Sequence, residues 1–198
     1  MTERALGAAD WRGFGREQFP QESWSVDGDV LHAIAQAERI HLVSRERFAD
    51  FILSFDWRLP RGGSTAVLCR VQEEAGAPER SGPALQLLDD EHHAEGADAL
   101  TSCGALYGLM APWHDLRSSA NAYHSARILM RGSAIEYWID ETQVIGCDLA
   151  SEELRARIAR SRFRDLPQFA RSAAGNIVLQ HRGTDAWFRR LRIEVTPA

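Results

Sequence analysis

The sequence predicts an all-β fold, a two-sheet β-sandwich or jelly roll, with one short helix. Three observations point there. Short segments of β character recur along the whole chain, separated by Gly and Pro turns such as Pro60-Arg-Gly-Gly63, Ser81-Gly-Pro83 and Ala174-Gly-Asn176. Several segments alternate apolar and polar residues, the period of a half-buried strand. One stretch, Ser151–Ser161, has helical character.

The expected strands are Val30–Ile34, Ile40–Ser44, Phe48–Leu59, Ala66–Val71, Ala84–Asp89, Leu106–Met110, Ser125–Met130, Ala134–Asp140, Thr142–Asp148, Ile177–Gln180 and Ala186–Val195. Phe51, Leu53, Phe55 and Trp57 share one face of the third, and Ile135 and Ile139 share one face of the eighth. These faces would form the core between two sheets. The opposite faces carry Arg70, Gln86, Arg127, Glu136, Trp138 and Gln180. In the helix, Ser151 is a natural N-cap, Glu152 and Glu153 suit the positive end of the dipole, and Leu154 and Ile158 face the sheet.

Composition narrows the function classes. The 198 residues suffice for one domain, taken as 1–198, and the 44% apolar share is that of a globular chain. A net charge of −5 disfavours nonspecific nucleic-acid binding. No apolar run reaches the length of a membrane helix and the N-terminus lacks a signal-peptide core, so a cytoplasmic location is expected. The one basic stretch, Arg155–Arg192, holds ten Arg against Asp165 and Asp185. All 23 basic residues are Arg, which excludes Schiff-base chemistry on lysine and leaves proton transfer to His, Asp, Glu, Tyr or Cys. Cys69, Cys103 and Cys147 are too few and too scattered for a disulfide framework or a zinc site.

Arg, Gln, an acid and an exposed aromatic on neighbouring strands would suit a polyhydroxylated ligand. Asp89-Asp-Glu-His-His93 is the densest ionisable run and follows the Gln86 strand. It is open to three readings: a proton-transfer site on Asp89 and His92, a divalent-metal site, or a solvated loop. His114, His124 and His181 stand at loop or strand ends where they could join a site.

The order of Phe51-Ile-Leu-Ser-Phe-Asp-Trp-Arg58, Gly82-Pro-Ala-Leu-Gln-Leu-Leu-Asp89, Gly104-Ala-Leu-Tyr-Gly-Leu109, Ile135-Glu-Tyr-Trp138 and Gly175-Asn-Ile-Val-Leu-Gln180 followed by Trp187-Phe-Arg189 resembles the 3-keto-disaccharide hydrolase domain family. The resemblance implies a concanavalin A-like jelly roll and cleavage of glycosides already oxidised at C3. A C3 ketone acidifies the C2 hydrogen, and the enolate expels the aglycone from C1. For that chemistry the residues read above supply Asp89, His92 and Glu136 as the expected proton-transfer groups and Arg70, Gln86, Tyr107, Arg127, Trp138 and Gln180 as the expected sugar contacts. The step requires no nicotinamide, and no cofactor motif is present; a divalent metal at Asp89–His93 stays open. The expected partner is a small sugar or glycoside, with a homo-oligomer or companion subunit open.

The chain departs from the family pattern at several points. Ala84 stands where an acid is usual; Ser64-Thr-Ala66, Tyr123-His124, Asp140-Glu141 and His181-Arg-Gly183 replace other usual residues. Without the acid at 84, a noncatalytic sugar-binding or partner subunit is the alternative.

Overall fold

The computed structural model describes residues 2–114, 116 and 119–195. The strands in chain order are β1 (Thr2–Ala5), β2 (Trp11–Gly13), β3 (Trp24–Asp27), β4 (Val30–Ala33), β5 (Leu42–Ser44), β6 (Phe51–Arg58), β7 (Ser64–Val71), β8 (Ala84–Leu88), β9 (His124–Arg131), β10 (Ala134–Ile139) and β11 (Thr142–Asp148). Helix α1 (Glu152–Arg160), β12 (Asn176–Leu179) and β13 (Ala186–Val195) complete the set. They form two antiparallel sheets: β11-β10-β9-β6-β13-β4-β3, with β1 also on β13, and β2-β5-β12-β7-β8. This is the jelly-roll sandwich that the alternation predicts.

Central strand β6 shows the pattern at its clearest. Phe51, Leu53, Phe55 and Trp57 are buried, and the residues between them are half-buried. The five-stranded sheet behaves differently. Every residue of β5, β7 and β12 is buried, so its outer face is covered as well as its inner one. Val43, Ala66, Leu68, Val71 and Val178 form a second apolar cluster on that outer face, with Phe14 and Ala84 packed against it.

Local chemistry fixes the connections. Asp140 and Glu141 take left-handed backbones, φ 44° and 65°, to close the β10–β11 hairpin where Asn-Gly is the usual choice. The Asp140 carboxylate offsets part of that strain by accepting the Ser125 N–H at 2.9 Å and bonding His124 at 2.6 Å. Ser151 caps α1 by accepting the Leu154 N–H at 3.2 Å, a contact typically worth about 1 kcal/mol.

Three expectations need correction. Leu106–Met110 is a turn with isolated bridges, because Gly108 takes a left-handed backbone and the Leu109 and Met110 N–H groups both donate to the Leu106 carbonyl. The chain before Val30 adds β1, β2 and β3, whose few residues carry too little alternation to announce themselves. Arg70 does not join the outer polar face that carries Gln86 and Gln180. It sits in a left-handed backbone (φ 51°) where the β7–β12 register shifts, which takes it out of the alternation. Its buried guanidinium donates from Nε and Nη2 to the Ala49 carbonyl, from Nη1 to the Gly132 carbonyl and from Nη2 to Asp50. It therefore ties β7 to the entry of β6 and to the β9–β10 turn across the two sheets. Gly175 allows this geometry, because a Cβ there would come within 2.4 Å of the Arg70 backbone.

Arg70→Met should accordingly lower unfolding stability by about 1.5–3 kcal/mol, since the charged hydrogen bonds of a buried guanidinium are lost. Urea unfolding of the variant checks this; a loss below about 0.5 kcal/mol would contradict the clamp role.

Candidate functional site

The outer face of the five-stranded sheet carries a row of residues paired across its strands. Ala66 is opposite Gln86, and the Gln180 N–H donates to the Ala66 carbonyl at 2.9 Å. Extending the β5–β12 register sets His41 beside Gln180. The row thus reads His41, Gln180, Ala66, Gln86, with the small Ala66 as its floor. The next row, Val43, Val178, Leu68 and Ala84, is apolar.

Loop 89–104 lies over the Gln86 end of this row and is held by its own side chains. Asp89 accepts the Gly62 N–H at 2.8 Å and bonds His92 Nδ1 at 2.8 Å. Asp90 accepts the Cys103 N–H at 2.8 Å. A Cβ at Gly96 would lie 2.2 Å from the Asp90 carbonyl oxygen, so only glycine lets these backbones meet. The Thr101 hydroxyl donates to the Glu95 carbonyl at 2.7 Å, and the Glu95 N–H donates to His93 Nδ1 at 3.1 Å.

Glu95 is thereby directed onto the row, and its carboxylate is the centre of the site. Tyr107 donates its phenol O–H to Oε1 at 2.7 Å, Arg182 donates Nη1–H to Oε2 at 2.8 Å, and Gln86 Nε2 lies 3.4 Å from Oε2. Arg182 also donates from Nε to Gln180 Oε1 at 2.8 Å. Arg162 Nη1 reaches the Tyr107 oxygen at 3.2 Å. Tyr107 is itself set against Ala84, whose carbonyl accepts the Tyr107 N–H at 3.1 Å. Gln86 is wholly buried, and its Oε1 has no hydrogen-bond partner among the described residues. A buried amide oxygen in that state is an unsatisfied acceptor at the floor of the site.

The electrostatics follow from these contacts. Burial, and then the bond to Glu95, raise the Tyr107 phenol above its ordinary value, so it remains a proton donor at neutral pH. Burial pushes His41 down to about 4 against an opposing pull from Glu79, and His181 and Arg182 push it the same way as burial. His41 is thus neutral, and its Nδ1 accepts the His181 N–H at 3.1 Å. His181 is lowered too, chiefly by burial. Burial works to raise the Asp89 carboxyl, but the Gly62 amide and His92 outweigh it and the net shift is downward.

Of the residues singled out from sequence, Gln86, Tyr107 and Gln180 meet at this site. Asp89 and His92 anchor its loop and form no hydrogen bond with the Glu95 group among the described residues. Arg127, Glu136 and Trp138 lie elsewhere, on the outer face of the eight-stranded sheet. There Trp138 Nε1 donates to Glu136 at 3.0 Å, and the Arg127 guanidinium sits 4.4 Å over the Trp138 ring beside a groove of about 500 Å³. The single polar surface expected is therefore two surfaces, on opposite sides of the molecule. Alternation separates inward from outward residues on one strand; which sheet the strand joins depends on pairing, and β9 and β10 pair through β6. His124 is held by Asp140 and the Ser119 carbonyl, and His181 by the Ile34 carbonyl. Among the described residues no three His, Cys, Asp or Glu side chains gather as a metal-binding group.

Glu95, Arg162 and Arg182 escaped sequence reasoning. Glu95 lies two residues beyond the ionisable run Asp89–His93. Arg182, in His181-Arg-Gly183, stands there only as a departure from the family pattern.

By fold the molecule is a jelly-roll sandwich of a widely shared kind. A glycosyl hydrolase candidate from Parabacteroides distasonis superposes with a TM-score of 0.88 over 96% of this chain and 90% of its own, at 20% identity. A carbohydrate-binding module from Bacillus subtilis superposes with a TM-score of 0.59 over 93% of this chain and 96% of its own, at 11% identity. The chain belongs to the family of 3-keto-alpha-glucoside-1,2-lyase-like domains, whose model matches residues 6–194. A 3-keto-disaccharide hydrolase from Bacteroides thetaiotaomicron is 20% identical to it over 93% of this chain and 74% of its own length.

The histidines carry a pH signature. Below pH 6.5 the unfolded chain protonates at His41 while the folded chain does not, until about pH 4. Stability is therefore lost as pH falls through that window, by about 3 kcal/mol for a shift of this size, and the loss from His41 levels off below it. His181 adds to the loss with the same sign. Urea unfolding from pH 7 to 4 should show a shallower decline for His41→Gln than for the parent; superimposable curves would contradict the buried neutral state.

Proposed function

We propose that this chain cleaves 3-keto-glycosides at the Glu95 site. The observation that carries the reading is a carboxylate flanked by a protonated phenol and a guanidinium, beside a buried glutamine with an open acceptor. Family membership supports the substrate class.

Each residue then has a task. A bound 3-keto sugar draws Arg182 from the Glu95 carboxylate to its ketone oxygen, and Gln86 and Gln180 take hydroxyl groups. Glu95 removes the C2 proton, and the electron pair forms an enolate whose oxygen faces Arg182. The enolate collapses, the C1–O bond breaks, and Tyr107 gives its proton to the leaving oxygen. Water then adds at C1 and gives a proton to the Tyr107 oxygen while Glu95 returns its proton to C2, which completes a net hydrolysis and restores both groups. The positive charge that the enolate requires is present in Arg182, with Arg162 behind Tyr107. Asp89 and His92 serve by fixing the loop that carries Glu95. Glu95 supplies the carboxylate that the family pattern would set at 84.

The second reading is a sugar-binding protein without turnover, and Ala84 is the residue that favours it. Mass spectrometry of the purified protein with a panel of 3-keto-glucosides and unoxidised controls, with and without a chelator, separates the two. Aglycone release from the keto substrates alone is expected, and loss of release with chelator would add a metal. Glu95→Gln should lower kcat/KM by about 10²–10⁴-fold with the fold intact, and Arg127→Ala, on the far sheet, should leave it unchanged. Saturable keto-sugar binding without release would establish the binding protein instead.

A further inference from the structure

The Glu95 site engages two of the ten arginines between Arg155 and Arg192. Three of the others, with Arg70, line a separate cavity of about 600 Å³ between α1, the 162–173 loop and the β9–β10 turn. That volume is in the range of small-molecule sites. Its apolar lining comes from Leu149, Ile158, Leu166 and Phe169, and Phe169 is fixed by stacking on Phe163 at 4.0 Å. No Asp or Glu is among its lining residues.

The charges around it are unevenly answered. Arg70 is engaged by Ala49, Gly132 and Asp50. Arg164 meets Asp165 at 3.3 Å, and both side chains are mostly exposed. Arg155 and Arg171 form no ion pair among the described residues. Asp148, the acid that Arg155 acts upon, is bonded to Ser133 and accepts the Ala150 N–H at 2.8 Å. An apolar pocket rimmed by such cations favours one kind of occupant. A neutral sugar would leave the guanidinium charge unanswered, and a nonpolar molecule would strip water from it without return.

We infer that this pocket binds a small amphipathic anion, a compact aromatic or branched apolar body carrying one carboxylate or sulfonate. The body lies on Ile158, Leu166 and Phe169, and the anionic head meets Arg155 and Arg171. Arg supplies paired donors in the fork geometry that such a head accepts.

The test is titration of the whole chain with 8-anilinonaphthalene-1-sulfonate, read by fluorescence. A saturable rise is expected, reversed by phenylacetate and not by its uncharged analogue phenylethanol. Reversing the charge in Arg155→Glu/Arg171→Glu should weaken the dye by at least about tenfold. Both side chains are exposed, so that variant should retain the parent circular dichroism spectrum. Ile158→Trp should block the dye by filling the floor. Arg182→Ala, in the Glu95 site, should bind the dye as the parent does. Absence of saturable binding, equal displacement by phenylethanol, or undiminished binding to the charge-reversed chain would each overturn the assignment.

Discussion

The five-stranded sheet is withdrawn from water on both faces, and the functional architecture depends on that constraint. A sheet that packs its inner face against a partner could leave its outer face wet. Here the outer residues Val43, Ala66, Leu68 and Val178 are apolar and fully covered. Phe14, from the connection after β2, packs on them, and the loop after β8 lies over the Gln86 end. A covering loop brings polar backbone and side chains over a low-dielectric floor, where each needs a partner. The Glu95 group is the local solution. Its carboxylate takes donors from Tyr107 and Arg182, and the Gln86 oxygen at the buried end has no partner among the described residues.

A chain whose bases are all Arg uses them in distinct ways, according to burial. Arg70 is deep and satisfied by carbonyls, which makes it a clamp between sheets. Arg182 is partly exposed and shared between Glu95 and Gln180. Arg189 holds Asp56 at 2.9 Å on the far sheet while lying 3.7 Å over the Tyr123 ring. Arg155 and Arg171 stand at a pocket whose described lining holds no Asp or Glu. Residue type alone does not separate these roles; the number of acceptors within reach does.

The same limit explains what could be read in advance. The alternation from Phe51 to Trp57 and the capped helix after Ser151 are local patterns, and local patterns survive folding. Gln86, Tyr107 and Gln180 were legible because they lie in segments that alternation or motif order had already located. Trp138 shows where the reading stops. It is outward-facing, as its strand parity requires, but the strand belongs to the sheet opposite Gln86. Arg70 fails for a different reason, since one left-handed residue at a bulge undoes parity without leaving a mark such as glycine. Glu95 was invisible because a loop residue has no periodicity, and its position comes from contacts at Asp89, Asp90 and Gly96.

The absence of an acid at 84 looks at first like loss of the reacting group. The geometry gives it another meaning. Ala84 and Gln86 are neighbours on one strand face, and Tyr107 is hydrogen-bonded through its backbone to the carbonyl of Ala84. A carboxylate on the strand would be rigid and close to the floor. A carboxylate on the loop above, aimed at Gln86 from the other side, can address the same space while leaving the floor small. Such an arrangement makes the carboxylate depend on loop 89–104 and so on the Asp89–His92 tie beneath it. In the proposed reaction a residue at that tie governs the carboxylate without touching the reacting atoms.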